Sequence, residues 1–180
     1  MTDAPWSAPL RFAEVFGLRQ RERLERRLTP DAEARGRIAR FLDLRTLDAL
    51  DADITVAAWF DGLQIDARWR ANIEQTCSIT LEPLPSRLEG RFTVRVVPES
   101  STLASHPAGH EIVVDPDADD PPDVAESDTV DLAAYVIEHL ALEIDPFPRK
   151  PGVEFEPPAG PAERSPFDVL RRLKDETGDL

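Results

Sequence analysis

The sequence predicts an α+β domain: an antiparallel, curved sheet that partly closes into a barrel, flanked by two main helices and a short C-terminal helix. Three observations predict it. Apolar residues alternate through Ile54, Val56, Ala58 and Phe60, then occupy odd numbers from Leu63 to Leu81, the two-residue period of half-buried strands. A second alternation, Leu88, Phe92, Val94 and Val96 against Glu89, Arg91, Thr93 and Arg95, stops at Pro98, and consecutive strands joined by short turns pair antiparallel. Outside these runs, apolar residues recur at three- and four-residue spacing, the helical period.

In chain order, residues 1–9 are Pro- and Ala-rich and read as a flexible N-terminus, followed by a short extended piece around Leu10 to Phe16. A single domain covers 10–150. Its first helix runs from Pro30 to about Leu42, with Thr29 as N-cap, Glu33 in the capping-box place and Ala34, Ile38, Phe41 and Leu42 as its stripe. Asp61-Gly62 suits a two-residue hairpin turn between the first two strands. The run from 63 to 81 is too long for an ordinary strand, so a bend or bulge is expected near Gln75, where the apolar parity breaks; Pro83 and Pro85 end the run. An acidic loop spans 99–127, with Ile112, Val113 and Val114 as a short edge strand. Asp131 then caps a helix whose apolar face is Ala133, Ile137, Leu140 and Ile144, widened by Leu132, Tyr135 and Val136 and stopped by Pro146 and Pro148. Residues 151–180 read as a Pro-rich linker and a helix from about Pro166 to Asp175, whose Phe167, Leu170 and Leu173 need a docking surface.

The chain has 180 residues and a formal net charge of −14, which argues against bulk, nonspecific duplex binding. The charge is unevenly placed. From Arg11 to Arg45 there are ten Arg against six carboxylates, whereas from Glu99 to Asp145 there are thirteen carboxylates and no Lys or Arg. One pole can meet a nucleic acid while the other repels it. The one cysteine, Cys77, excludes an internal disulfide framework and fits a reducing compartment. With no apolar run approaching eighteen residues and no signal-peptide pattern, the expectation is a soluble, cytoplasmic protein without a membrane partner.

Catalytic motifs are absent from the sequence: there is no GxSxG, Gly-rich phosphate loop or paired-carboxylate pattern. The carboxylates of Asp115, Asp117, Asp119, Asp123 and Glu126 follow a calcium-loop spacing, but Asp120 stands where that loop needs Gly and three prolines oppose its geometry. The stretch reads as a solvated acidic loop. His106 and His110 enclose Pro107 and Gly109, which breaks the helical face a metal pair would need. His139 sits in an apolar helix, and Cys77 on the apolar parity of a strand reads as a buried structural thiol. No cofactor, metal or small-molecule substrate is expected. What remains is the polar side of the sheet, where Arg68 and Arg70 on one strand and Arg91 and Arg95 on another share the parity opposite to the apolar residues. If those strands are neighbours, the four Arg form a patch able to hold RNA phosphates; otherwise they are a solvated face balanced by Asp66, Glu74 and Glu89.

Read together, Gln75-Thr-Cys77-Ser-Ile-Thr-Leu81-Glu82-Pro83, Asp128-Thr-Val-Asp131-Leu132 with Glu138, Leu140 and Leu142, Asp145-Pro-Phe-Pro148-Arg149-Lys-Pro-Gly152 and Ser165-Pro-Phe167 with Leu170 resemble the YceD family in its alphaproteobacterial form. These are the large ribosomal RNA subunit accumulation proteins. Cys77, Glu82, Pro83, Asp131, Glu138 and Arg149 match motif positions and read locally as strand packing, strand end, helix cap and helix surface. The resemblance implies a noncatalytic role in accumulation or processing of 23S rRNA, with large-subunit rRNA or an assembling subunit as partner. Many members carry further cysteines that suggest zinc; this chain keeps only Cys77, so no metal is carried over. A protein-interaction adaptor is the alternative, with the acidic segment or the C-terminal helix meeting a basic ribosomal protein or another assembly factor.

Overall fold

A computed structural model describes residues 4–19, 22–104 and 121–155. In chain order the elements are β1 (Pro9–Arg11), α1 (Phe12–Phe16), β2 (Leu24–Leu28), α2 (Ala32–Phe41), β3 (Thr46–Trp59), β4 (Gly62–Thr76), β5 (Pro83–Pro98), β6 (Asp123–Ala125), β7 (Thr129–Asp131) and α3 (Leu132–Glu143). A single 3₁₀ turn at Thr102–Ala104 follows β5. Strands β2 to β6 form one sheet in the order β2-β3-β4-β5-β6, and β1 pairs with β7 in a second.

The α+β class and the long central strands agree with the sequence reading, but the barrel does not form and the main sheet is mixed. Its strands are antiparallel except β5 and β6, which run parallel from Val96↔Asp123 to Pro98↔Ala125. A barrel must pair its first strand with its last, and here β2 and β6 stand at opposite edges. The three residues of β6 engage only the end of β5, leaving too short an edge to close the sheet.

Alternation sets the faces as expected. Ile54 and Val56 on β3, Leu63, Ile65, Trp69 and Ile73 on β4, and Phe92 and Val96 on β5 are buried on one side. There they join Ile38 of α2 and Val136, Ile137 and Leu140 of α3 in one apolar core. The register shift lies on β3, between Leu47 and Ala49, rather than at Gln75. Gln75 keeps the inward parity: it is buried, and its Nε2 donates to the Asp145 carbonyl at 2.8 Å. Strand pairing ends at Thr76, and Ser78–Thr80 form a turn.

The hairpin turn is Phe60-Asp61, with Gly62 already paired to Trp59. Helix α2 starts two residues later than expected because Asp31 is its N-cap, accepting from the Ala34 N–H at 2.8 Å; Thr29 donates its hydroxyl to Asp51 instead. The stretch before Pro9, expected to be loose, makes defined contacts: Arg37 Nε donates to the Pro5 carbonyl at 2.9 Å, and Trp6 packs on the core. The expected edge strand at Ile112–Val114 and the helix at 166–175 lie outside the described residues.

Asp131 caps α3, as its sequence context predicts. One carboxylate oxygen accepts from Ala133 N–H (3.0 Å) and Ala8 N–H (2.8 Å), the other from the Ser7 hydroxyl (2.7 Å). One side chain therefore ties the helix start to the strand entering β1. Asp131→Ala is expected to cost about 2 kcal/mol, the upper end for a lost cap, read as a lower urea midpoint with unchanged m-value.

Candidate nucleic-acid interface

The face of the sheet turned away from the core carries the polar parity of each strand, and the registers place its residues in rows. Arg68 on β4 is directly opposite Arg91 on β5, with Asp53 of β3 on its other side and Arg27 of β2 beyond. One row away lie Asp51, Arg70 and Glu89, and on the other side Thr55, Asp66 and Thr93. Beyond that row Arg95 stands opposite Gln64.

The four Arg are thus on one face of adjacent strands, but they do not have equal surroundings. Arg70 sits between two carboxylates, and its charge contributes to holding the Asp51 carboxyl below its ordinary range; the hydrogen bonds from Thr29 and then Arg27 contribute more. Arg95 lies over the Trp59 ring, 5.0 Å from its centroid. Arg68 and Arg91 face each other without an ion pair within 4.0 Å among the described residues. The nearest carboxylates are otherwise engaged: Arg27 approaches Asp51 at 3.3 Å and Asp53 at 3.9 Å, and Asp66 accepts from Thr93 Oγ1 at 2.7 Å and Gln64 Nε2 at 3.1 Å. A cleft of about 750 Å³ opens here, lined by Arg23, Asp53, Asp66, Arg68, Arg91 and Thr93. Arg23 was not singled out by sequence because it precedes β2, whose Leu-Glu-Arg-Arg-Leu has no core alternation to reveal a strand.

The motif positions form a different structure. At the end of β4, Cys77 N–H donates to the Glu82 carbonyl (2.9 Å) and Ser78 N–H to the Pro148 carbonyl (2.8 Å). Lys150 Nζ pairs with Glu82 at 2.6 Å. The turn after β4 is thereby stitched to the segment after α3. Pro83 opens β5 opposite Thr76, and Glu138 and Arg149 are exposed. The Cys77 sulfur is fully enclosed and accepts the N–H groups of Thr80 and Lys150, each at 3.5 Å. A metal ion needs lone-pair donors around it, whereas the polar neighbours of this sulfur are N–H donors, and no group of three His, Cys, Asp or Glu that could hold a metal occurs among the described residues. These residues do not fit zinc. His139 is structural too: Nδ1 lies 2.8 Å from the Tyr135 carbonyl, and its ring stacks on Phe92 at 3.9 Å. His106, His110 and Asp115–Asp120 lie outside the described residues.

Enclosure pushes the Cys77 thiol up, but the Thr80 side-chain hydrogen bond and then backbone N–H groups outweigh it and bring the pKa from 9.0 to about 6. Between those values the unfolded chain carries a proton that the folded one does not. The contribution of Cys77 to stability is therefore full above pH 9, declines as pH falls, and is gone below pH 6. Urea midpoints at pH 6 and 9 should show this rise in the natural protein, and a smaller one in Cys77→Ala. Enclosure should also keep native Cys77 from reacting with iodoacetamide despite the lowered pKa.

No helix among the described residues is long and apolar enough to cross a membrane. A family model described as "Large ribosomal RNA subunit accumulation protein YceD" matches residues 65–174. That span contains Arg68, Arg70, Arg91, Arg95 and every motif position above. No curated protein and no solved structure matches the chain.

Proposed function

The chain belongs to the YceD family, named for accumulation of the large ribosomal RNA subunit, and from that premise we propose that it promotes accumulation or processing of 23S rRNA by binding pre-rRNA or an assembling large subunit through the polar face of its sheet. The family is not a known enzyme family, and the reading needs no catalytic group. The observation that carries it is the Arg68–Arg91 pair. Like charges directly opposite on neighbouring strands destabilise a sheet, and a phosphate between the two guanidinium groups would relieve that repulsion through charge-assisted hydrogen bonds. The thirteen carboxylates without a Lys or Arg from Glu99 to Asp145 disfavour contact with RNA through that segment. Depletion of the protein, followed by gradient sedimentation and northern blotting, is the test. Reduced 23S rRNA and large-subunit peaks are expected, restored by the natural chain and not by Arg68→Ala/Arg91→Ala. Unchanged 23S levels on depletion would sink the reading.

The adaptor reading has its own observation. A cleft of about 420 Å³ beside α3 is lined by Asp123, Thr129, Asp131, Tyr135 and Glu138, which suits a basic protein segment. It predicts binding to a ribosomal protein in the absence of RNA, lost when Asp123 and Glu138 are neutralised.

A further inference from the structure

The tip of the β3–β4 hairpin carries two aromatic residues that the core does not use. Trp59 has the same parity as Asp53 and Thr55, so it stands on the polar face, in line with the rows that hold Arg95 and the Arg68–Arg91 pair. Phe60 follows it in the turn, 79% exposed, its ring edge-on to Trp59 at 4.9 Å and 89°. Arg95 covers the Trp59 ring from β5.

Apart from its edge-on contact with Trp59, Phe60 has no local justification. It is the first residue of a two-residue turn and has φ 51°, in a position where such turns favour Gly and where a bulky side chain is costly. At 79% exposure it recovers little from burial. An aromatic held in a disfavoured backbone conformation, facing water, beside a guanidinium-capped indole and on the same face as a basic cleft, matches what a nucleobase needs: a flat apolar surface for its ring, with cations along the backbone path. The tip and the Arg68–Arg91 row are six residues apart along β3, about 20 Å at strand rise, so one extended strand can reach both. A duplex keeps its bases stacked inside and cannot use such a platform.

We propose that Phe60, supported by Trp59 and Arg95, is a stacking platform for an unpaired base, and that the ligand of this face is single-stranded RNA. The inference rests on the reading of the Arg cleft given above. The test uses the full chain and a labelled single-stranded RNA of about 16 nucleotides, the upper site size of one single-strand-binding fold, against the same strand annealed to its complement. Phe60→Ala is expected to weaken single-strand binding by about tenfold and leave duplex binding unchanged, while Phe60→Trp restores the loss; binding should quench tryptophan emission, less so in Trp59→Phe. Equal loss on both probes, no loss on either, or no single-strand binding at low salt overturns the inference. If Arg68→Ala/Arg91→Ala weakens binding and Phe60→Ala does not, the platform fails and the cleft stands. If the Arg variant binds as the natural chain does, the reading of the cleft fails.

Discussion

Alanine at Gly62 is expected to lower the stability of the protein by about 3 kcal/mol, the upper end of overpacking costs, and its melting midpoint by roughly 6–12 °C. A Cβ at this position would lie 2.3 Å from the Val96 carbonyl oxygen and 2.8 Å from Val97 Cγ1. The first obstacle is backbone and cannot rotate away. Val96 pairs with Leu63 of β4 on one side and Asp123 of β6 on the other, and both Val96 and Val97 are buried. Relief therefore requires moving β5 or peeling back the hairpin that carries Trp59 and Phe60. Gly36 gives the contrast: it lies inside α2, and its Cβ would meet only the end of the Arg40 side chain at 3.7 Å. Gly36→Ala should stabilise by about 0.5–1 kcal/mol through helix propensity. Thermal melts of the two variants check both, and a Gly62→Ala melt like that of the natural chain would refute the packing argument.

The same glycine shows where the sequence reading was sound and where it stopped. Asp61-Gly62 marked a hairpin between two alternating runs, and the hairpin is there, because side-chain period and register are coupled. The turn lies one residue earlier because Gly62 serves close approach to β5, a tertiary demand that no dipeptide preference contains. Gln75 misled for a related reason. Its polarity suggested a break in the parity, but a buried amide is acceptable once the Asp145 carbonyl pairs with it, and that carbonyl comes from the far end of α3. Strands β1, β2, β6 and β7 have three to five residues each, too few to establish a period, and exist through their partners. Alternation and antiparallel pairing do not settle barrel closure, which depends on which edges meet.

The site was legible to the extent that parity governs it. That Arg68, Arg70, Arg91 and Arg95 share a face followed from odd and even numbering; that Arg68 meets Arg91 while Arg70 meets Glu89 depends on the β4–β5 register, which the intervening turn sets. The contribution of β3 was out of reach for the same reason: the β3–β4 register sets Asp51 opposite Arg70 and Asp53 opposite Arg68, while Arg95 lies over Trp59. Phe60 was read as a core position because it continued the alternation of Ile54, Val56 and Ala58. Burial on that parity ends at Val56: Ala58 is already exposed, and Phe60 lies in the turn and faces water.

Exchanging both Arg68 and Arg91 for alanine should weaken binding to single-stranded rRNA fragments by about a hundredfold without weakening the fold. Each lost charge-assisted contact is worth about 1.5–3 kcal/mol, tenfold or more per Arg. Affinity should also become less sensitive to salt, the logarithmic slope falling in magnitude by about 1.4 for two single-strand phosphate contacts. Stability should move the other way or not at all: the variant removes a like-charge pair directly across β4 and β5, and exposed substitutions of this kind stay within about 0.5 kcal/mol. Arg70→Ala supplies the internal comparison. Arg70 stands in register between Asp51 and Glu89, so its removal takes a positive charge from beside two carboxylates. It should reduce RNA affinity less and lower stability slightly, and the Asp51 carboxyl should stay below its ordinary range because the Thr29 and Arg27 hydrogen bonds remain. Salt-titrated binding isotherms and melts on the three proteins separate these outcomes. A double variant that binds as tightly as the natural chain would show that the Arg68–Arg91 repulsion is tolerated for some reason other than a phosphate; one that loses binding only as it loses stability would place the pair in the architecture of the sheet.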